Sequence, residues 1–184
     1  MAITDPLALQ VLAIAKEAGD KIMEIYDRDF AIYEKQDTSP LTEADLAAHK
    51  SIVAGLEAIS ELPILSEESA DISWEERKTW DKYWLVDPLD GTKEFIKKNG
   101  EFTVNIALID GGKPIMGVVY APALSKSYVG IVGQGAWTET AAGVNPISAK
   151  PHQPGELWKV VGSRSHQSPE IQNLLARLEG ETEL

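Results

Sequence analysis

The apolar positions near the start of the chain recur at gaps of three and four residues, the spacing of one buried helix face. The residues on this face are Val11, Ile14, Ala15, Ala18, Ile22 and Tyr26. Asp5-Pro6 precedes the run and predicts a helix with Asp5 as its N-cap and Pro6 as its first residue. A second apolar face predicts a helix that begins near Thr42; its members are Ile52, Val53, Leu56 and Ile59.

Beyond residue 60 the pattern changes to short apolar runs bounded by turn residues, which is typical of strands. The predicted strands are Ile64-Leu65, Tyr83 to Val86, Thr103 to Ile109, Pro114 to Tyr120, Ser127 to Val132 and Trp158 to Val161. Gly111-Gly112 and Gly133-Gln134-Gly135 punctuate this series of strands as hairpin turns. A helical turn is predicted between Ser73 and Asp81, and a last helix from Ser168 to Leu178.

This order of elements predicts an α+β fold, with two helices on a mostly antiparallel sheet. We expect one α+β domain over residues 1–156. Residues 157–184 supply one strand and one helix, which we interpret as the start of an incomplete α/β domain, because such a layer needs neighbouring strands.

Charge and composition narrow the chemistry. The 17 Lys and Arg residues against 29 Asp and Glu give a formal net charge of −12, which argues against a binder of nucleic-acid polymers. Cysteine is absent, so disulfides, thiolate nucleophiles and Cys-ligated zinc are excluded. With only three His residues, any metal site is expected to use oxygen ligands. No apolar run reaches the ~18 residues typical of a membrane-spanning helix.

The segment Asp87-Pro88-Leu89-Asp90-Gly91-Thr92 follows a predicted buried strand and carries two carboxylates three residues apart. Pro88 and Gly91 favour a turn that aims both carboxylates and the Leu89 carbonyl at one point. Magnesium prefers such an all-oxygen set of ligands. The alternative is an ordinary turn in which Asp90 or Thr92 caps the next helix.

Three further segments have both a chemical and a structural interpretation. Glu67-Glu68 ends a short strand and either shares metal ions with the neighbouring strand end or forms a solvated loop. Asp45 fits a capping box with Thr42 as N-cap, or else it orients the hydroxyl of Thr92 toward a water molecule. Ser163-Arg164-Ser165-His166 either holds a phosphate or nucleotide or forms a surface loop. His49, mid-helix among alanines, favours a structural or exposed role.

These residues resemble the lithium-sensitive, magnesium-dependent phosphatases of the inositol monophosphatase superfamily. The metal signature is Trp84 to Thr92, within a longer stretch from Tyr83 to Pro122 that is similar almost throughout. Lys93-Glu94-Phe95, directly after the signature, resembles the CysQ-type 3'(2'),5'-bisphosphate nucleotidase branch. The likeness extends to Ser39 to Asp45, Leu65 to Glu68 and Ser163 to His166. The resemblance implies the N-terminal half of a layered αβαβα sugar-phosphatase fold.

The resemblance also implies a role for each candidate residue. The implied metal ligands are Glu67, Asp87, the Leu89 carbonyl and Asp90, holding two or more Mg²⁺ ions. Asp45 and Thr92 would activate the attacking water. The implied substrate contacts are Glu67, Leu89, Asp90, Gly91, Thr92, Ser163 and His166.

The implied reaction is hydrolysis of adenosine 3',5'-bisphosphate (PAP) to AMP and phosphate in sulfate assimilation, with its sulfated analogue PAPS as a second substrate. The implied location is the cytoplasm, with peripheral association with the inner membrane. Two alternatives stay open: an inositol or sugar monophosphatase of the same superfamily, and a catalytically inactive nucleotide-binding fragment. Because the family carries a further Asp ligand in a C-terminal domain, we expect a truncated chain with weak activity or none.

Overall fold

The computed structural model describes residues 3–28, 39–69, 72–153, 155–161, 173–178 and 182–183. The chain divides into two compact units, residues 1–147 and 148–184, and each is described by itself. The predicted division into domains of residues 1–156 and 157–184 stays a prediction. Within the described residues, no helix has both the length and the apolar character needed to cross a membrane.

Two long helices open the first unit. Helix α1 (Pro6–Tyr26) begins as predicted, with Asp5 as N-cap accepting a hydrogen bond from the Ala8 N–H. Helix α2 (Pro40–Ile59) begins earlier than predicted, because the N-cap is Ser39, whose side chain accepts from the Thr42 N–H. The prediction of Thr42 as N-cap is therefore wrong. Ser39-Pro40 starts α2 in the same way that Asp5-Pro6 starts α1.

A seven-stranded sheet follows, with its strands in sequence order. Its strands are β1 (Ile64–Ser66), β2 (Lys82–Asp90), β3 (Thr103–Asp110), β4 (Lys113–Ala121), β5 (Lys126–Ile131), β6 (Gly135–Thr140) and β7 (Gly143–Ile147). Strand β1 pairs in parallel with β2, and every later pair is antiparallel. The connections hold α3 (Trp74–Arg77), α4 (Thr92–Ile96) and a 3₁₀ helix (Pro122–Leu124). The prediction of a mostly antiparallel α+β fold is confirmed, while β6 and β7 were not predicted.

Strand β2 is longer than predicted and runs on through the segment that was expected to end it. Its pairing with β3 continues to Asp87 opposite Asn105, and it resumes with Asp90 opposite Thr103 after a shift of register. Pro88 lies within this irregularity, where a residue without an N–H is tolerated. The bulge therefore lets a carboxylate segment remain part of the sheet.

The two long helices cover one face of the sheet. The two helices pack against each other. Helix α1 lies on β3 to β5, and α2 lies on β2. Alternating strand residues supply the buried side, which comprises Trp84, Val86, Val104, Ile106, Leu108, Met116, Val118 and Val129. Trp84 is fully buried and its Nε1–H donates to Ser60 Oγ at the end of α2, over 2.8 Å. The core thus fixes the helices against the central strands.

The second unit holds two short parallel strands, β8 (Trp158–Lys159) and β9 (Thr182–Glu183). The strand predicted from Trp158 to Val161 is shorter than expected, since residues 160 and 161 lie outside it. Of the helix predicted from Ser168 to Leu178, residues 173–175 are helical, and residues 168–172 lie outside the described residues.

Helix α1 approaches the sheet closely at Gly19, where an added Cβ would lie 2.5 Å from Tyr120 Cε1. We therefore expect Gly19→Val to lower the free energy of unfolding by about 1–3 kcal/mol, because the ring and the helix must move apart. Urea denaturation measures this change. Ala13→Val, at an exposed position of the same helix, is the matched control. Equal stability of the two variants would contradict this packing.

Candidate active site

The parallel pairing of β1 and β2 brings two acidic segments together. Ser66 lies opposite Val86, and the Glu67 N–H donates to the Val86 carbonyl oxygen over 3.0 Å. Because the strands are parallel and in step, the residue that follows each pair is Glu67 on one strand and Asp87 on the other. Their carboxyl groups face each other closely enough to interact.

The bulge in β2 positions Asp87 and Asp90. The Leu89 N–H donates to Asp87 Oδ1 over 3.2 Å, which folds the segment back on its own first carboxylate. The Leu89 side chain is buried and anchors the turn in the core. Asn105 of β3 donates through Nδ2 to Asp90 Oδ2 over 3.2 Å and so orients the second carboxylate.

Gly91 ends the acidic segment in a left-handed conformation, with φ 94° and ψ 43°. A Cβ there would lie 2.8 Å from the Glu101 carbonyl oxygen, so a larger residue would push the two segments apart. Gly91 is the N-cap of α4, and no side chain forms a cap hydrogen bond. The alternative in which Asp90 or Thr92 caps this helix is therefore wrong.

An aromatic cluster holds α4 and the turn before it against α1. The Phe95 ring lies 5.3 Å from the Tyr26 ring and 5.4 Å from the Phe102 ring, and Tyr26 and Phe102 are 4.9 Å apart between centroids. Phe95 and Phe102 are almost completely buried. Tilted ring pairs of this kind contribute about 0.5–1.5 kcal/mol each beyond area burial. The cluster thus fixes where the acidic segment ends.

Asp45 reaches the same region from α2. Because Ser39 caps the helix, Asp45 lies in the helix interior and the capping-box interpretation is wrong. Its carboxyl is half-buried, and Oδ1 is buried with no hydrogen-bond partner. The acidic side chains that affect it are Glu68, which is within hydrogen-bonding reach, then Glu67 and Asp87. Asp45 thus places one buried acceptor oxygen among like charges.

The crowding changes the proton affinity of two carboxyls. Partial burial, followed by the negative charge of Glu68, raises the pKa of Asp45 to about 7. Burial, followed by the charges of Glu67 and Asp90, raises the pKa of Asp87 to about 6, although the hydrogen bond from Leu89 opposes the rise. The site therefore favours anything that brings positive charge, whether protons or cations.

The donor set fits a hard divalent cation. We define the carboxylate cluster as Asp45, Glu67, Glu68, Asp87 and Asp90, which offers oxygen ligands only and includes the orphaned oxygen of Asp45. Within the described part of the chain, no three acidic or His side chains are arranged closely enough to coordinate one metal ion. The chemistry of the cluster nevertheless matches Mg²⁺, which prefers carboxylate oxygens.

A cavity of about 580 Å³ opens beside the cluster. Its polar lining includes Ser66, Glu67, Asp87, Asn105 and Arg77, and Leu85, Ala107 and Val119 are among its apolar residues. This volume falls in the range of pockets that take small organic ligands, roughly 300–1,000 Å³. The carboxylate cluster therefore has space for a small molecule at its edge.

The predicted site residues differ in where they lie. Asp45, Glu67, Asp87 and Asp90 come together, with Leu89 between Asp87 and Asp90 and Gly91 directly after Asp90. Thr92 is exposed at the start of α4, and Asp45 Oδ1 has no hydrogen-bond partner, Thr92 included, among the described residues. Ser163 and His166 lie outside the described residues.

Two members of the site were missed as site residues. Glu68 was noted beside Glu67, yet only the fold shows that it faces Asp45. Asn105 gave no local signal, except that Thr103, Asn105 and Ala107 alternate with the buried residues of β3 and so share one face.

The inositol monophosphatase family model matches residues 4–183 of the chain. The 3'(2'),5'-bisphosphate nucleotidase CysQ of Escherichia coli strain K12 is 49% identical over 172 residues, covering 92% of this chain and 68% of that protein. The CysQ protein of Buchnera aphidicola is 42% identical over 176 residues, covering 92% of this chain and 63% of that protein.

Solved structures give the same fold. CysQ from Bacteroides thetaiotaomicron matches with a TM-score of 0.82 at 36% identity, covering 95% of this chain and 70% of that chain. Inositol monophosphatase II from Staphylococcus aureus matches with a TM-score of 0.69 at 21% identity, covering 96% of this chain and 66% of that chain, and supports the fold alone.

The raised pKa values predict that the metal-free protein loses stability as pH rises. Asp45 and Asp87 bind protons more tightly in the folded protein than in the unfolded chain. Their contribution to the free energy of unfolding is therefore complete below the ordinary carboxyl pKa. It is lost as the pH rises through about 6 for Asp87 and about 7 for Asp45. Because both groups keep contact with water, we expect a loss of about 1 kcal/mol, or ~2–4 °C in Tm. Thermal unfolding in EDTA between about pH 4.5 and about pH 8 measures it.

The variant carrying Asp45→Asn and Asp87→Asn is the control, since amides do not titrate. Its Tm should fall less over the same pH interval. The same fall in both proteins would show that other groups cause the pH dependence.

Proposed function

The chain belongs to the inositol monophosphatase family, and we propose that it acts as a metal-dependent phosphatase on the 3'-phosphate of adenosine 3',5'-bisphosphate, giving AMP and phosphate. The observation that carries the proposal is the carboxylate cluster at the ends of β1 and β2 and near the start of α2, where two pKa values are raised toward neutrality. A phosphate ester is itself anionic, so an acidic site needs cations before such a substrate can bind.

The choice of substrate rests on sequence similarity. The relatives at 49% identity carry the name 3'(2'),5'-bisphosphate nucleotidase, and their similarity extends over 92% of this chain. A nucleoside bisphosphate also suits a cavity with both apolar and polar walls, since the base needs apolar contacts and the phosphates need charge. PAPS is a second candidate substrate because it shares the 3'-phosphate.

In the proposed mechanism the cluster would hold two or more Mg²⁺ ions. The proposed ligands are Glu67, Asp87, Asp90 and the Leu89 carbonyl. Asp87 interacts with both Glu67 and Asp90, so it is the ligand that two ions would share. When bound, magnesium supplies positive charge and Lewis acidity to the phosphoryl oxygens. Asn105 keeps Asp90 in a fixed orientation through its hydrogen bond, so the ligand is preorganised.

Asp45 and Thr92 are the proposed proton carriers. Asp45 has a pKa raised to about 7, which suits a group that accepts a proton near neutral pH. The Thr92 hydroxyl would pass a proton from the attacking water to Asp45. As the new P–O bond forms, the bond from phosphorus to the 3'-oxygen breaks, and the 3'-oxygen takes a proton from solvent water and leaves as the hydroxyl of AMP.

This activity would place the protein in sulfate assimilation, where sulfate transfer from PAPS leaves PAP as a by-product. The cytoplasm is the proposed location. Inhibition by lithium, the role of Ser163 and His166 and the level of activity of the chain stay predictions.

We expect Asp87→Asn to lower magnesium-dependent phosphate release from PAP by at least ~10²–10³-fold, because the amide removes the central negative charge of the cluster. Phosphate release is measured with and without Mg²⁺. Asp110→Asn is the matched control, since Asp110 pairs with Lys82 at the other end of the β2–β3 pair. Unchanged turnover in Asp87→Asn would contradict the proposed metal site.

The choice of substrate is tested by comparing PAP with inositol 1-phosphate. We expect kcat/KM for PAP to be at least ~100-fold higher, because a site built for a nucleotide leaves its polar groups unpaired with a smaller ligand. The reverse ratio would favour an inositol or sugar phosphatase. Calorimetry that detects PAP binding without phosphate release would favour an inactive nucleotide-binding protein.

A further inference from the structure

The cluster is assembled from a helix and a sheet, so its geometry depends on how α2 sits on the strands. Asp45 comes from α2, whereas Glu67 and Asp87 come from the ends of β1 and β2. Helices and sheets exchange no backbone hydrogen bonds of their own, so side chains must fix their relative position. Near Asp45, the structure shows one such link between α2 and β1, a hydrogen bond of 2.9 Å between His49 Nδ1 and Ser66 Oγ.

The position of this hydrogen bond is distinctive at both ends. His49 follows Asp45 by four residues, so the two side chains lie on the same face of α2, one turn apart. Ser66 immediately precedes Glu67 in the chain. The bond therefore joins His49, one helical turn from Asp45, to Ser66, the residue directly before Glu67.

The energetics favour a bond that stays formed. Ser66 is 3% exposed, so its hydroxyl has little access to water and needs a protein partner. Leaving such a buried group unpaired is destabilising, because it loses its hydrogen bonds to water and gains none from the protein. The hydroxyl can donate or accept, so either tautomer of His49 satisfies it. The ring nitrogen Nδ1 lies close to the backbone, which gives the link little freedom to stretch.

The link also works against the forces within the site. Asp45 lies among the acidic side chains of Glu67, Glu68 and Asp87, and like charges held this close oppose the approach of α2 to the strand ends. Without a restraint near Asp45, the helix could relax and separate the carboxylates. Such a separation would weaken the binding of any ion that needs ligands from both α2 and the strand ends.

We propose that His49 is a positioning residue, whose hydrogen bond to Ser66 sets the separation of Asp45 from Glu67 so that the carboxylate cluster can share divalent cations. The inference rests on the proposed function, because it assumes that the cluster binds such ions. It does not assign His49 any contact with substrate.

The test measures Mn²⁺ affinity of the protein by electron paramagnetic resonance, without any substrate. We expect His49→Ala and Ser66→Ala each to weaken Mn²⁺ binding by about 10-fold. Losses of this size are typical when a group that orients a metal ligand is removed. The double variant should be no weaker than either single variant, because both remove the same bond. His49→Asn, whose amide nitrogen can occupy the place of Nδ1, should restore affinity to within ~2-fold of the wild type.

Ser60→Ala is the matched control. It removes the hydrogen bond between Trp84 and the other end of α2, about 22 Å along the helix from Asp45. It should lower Tm but leave Mn²⁺ affinity within ~2-fold of the wild type, at a temperature where every variant is folded. Equal weakening by Ser60→Ala and His49→Ala would show a general structural effect and overturn the inference.

The remaining outcomes separate the inference from the proposed function. If Asp87→Asn weakens Mn²⁺ binding but His49→Ala does not, the positioning role is wrong and the metal site stands. If the wild type binds no Mn²⁺, or binds it equally after Asp87→Asn, the proposed function fails and the inference fails with it.

Discussion

Repulsion among like charges is the constraint on which the candidate site depends. Five carboxylates gather where β1 and β2 end and α2 begins, and two of them resist ionisation because burial and their neighbours penalise the charged form. An arrangement of this kind persists only if the rest of the fold opposes its tendency to spread. The buried Trp84, the bulge in β2 and the aromatic cluster around Phe95 provide that opposition from the core.

Much of the fold was predictable because local patterns and tertiary packing agree. Helix α1, its Asp5 cap and the central strands follow from apolar spacing and turn residues. The start of α2 was misplaced because Ser39-Pro40 and Thr42 are both good start signals, and only the backbone shows which one caps. Strands β6 and β7 escaped prediction, since their short runs of Gly, Thr and Asn lack clear alternation and are stabilised by their neighbours in the sheet.

The site was predictable in part, for a related reason. The acidic segments at Glu67 and Asp87 follow predicted strands, so their convergence could be expected once the strands were parallel neighbours. The partners of those residues could not be expected. Asn105 meets Asp90, and His49 meets Ser66, only through strand register and the seating of α2 on the sheet, and neither relation is encoded in a short motif. His49 therefore looked merely structural among its alanine neighbours.

The central claim is that these carboxylates form a binding site for divalent cations. The most direct measurement is a crystal structure of the protein grown with Mn²⁺, with anomalous diffraction data collected near the manganese edge. We predict anomalous density against the Asp87 carboxylate, with Glu67 and Asp90 as further ligands. Well-occupied manganese sites elsewhere in the protein, with none at Asp87, would contradict the account.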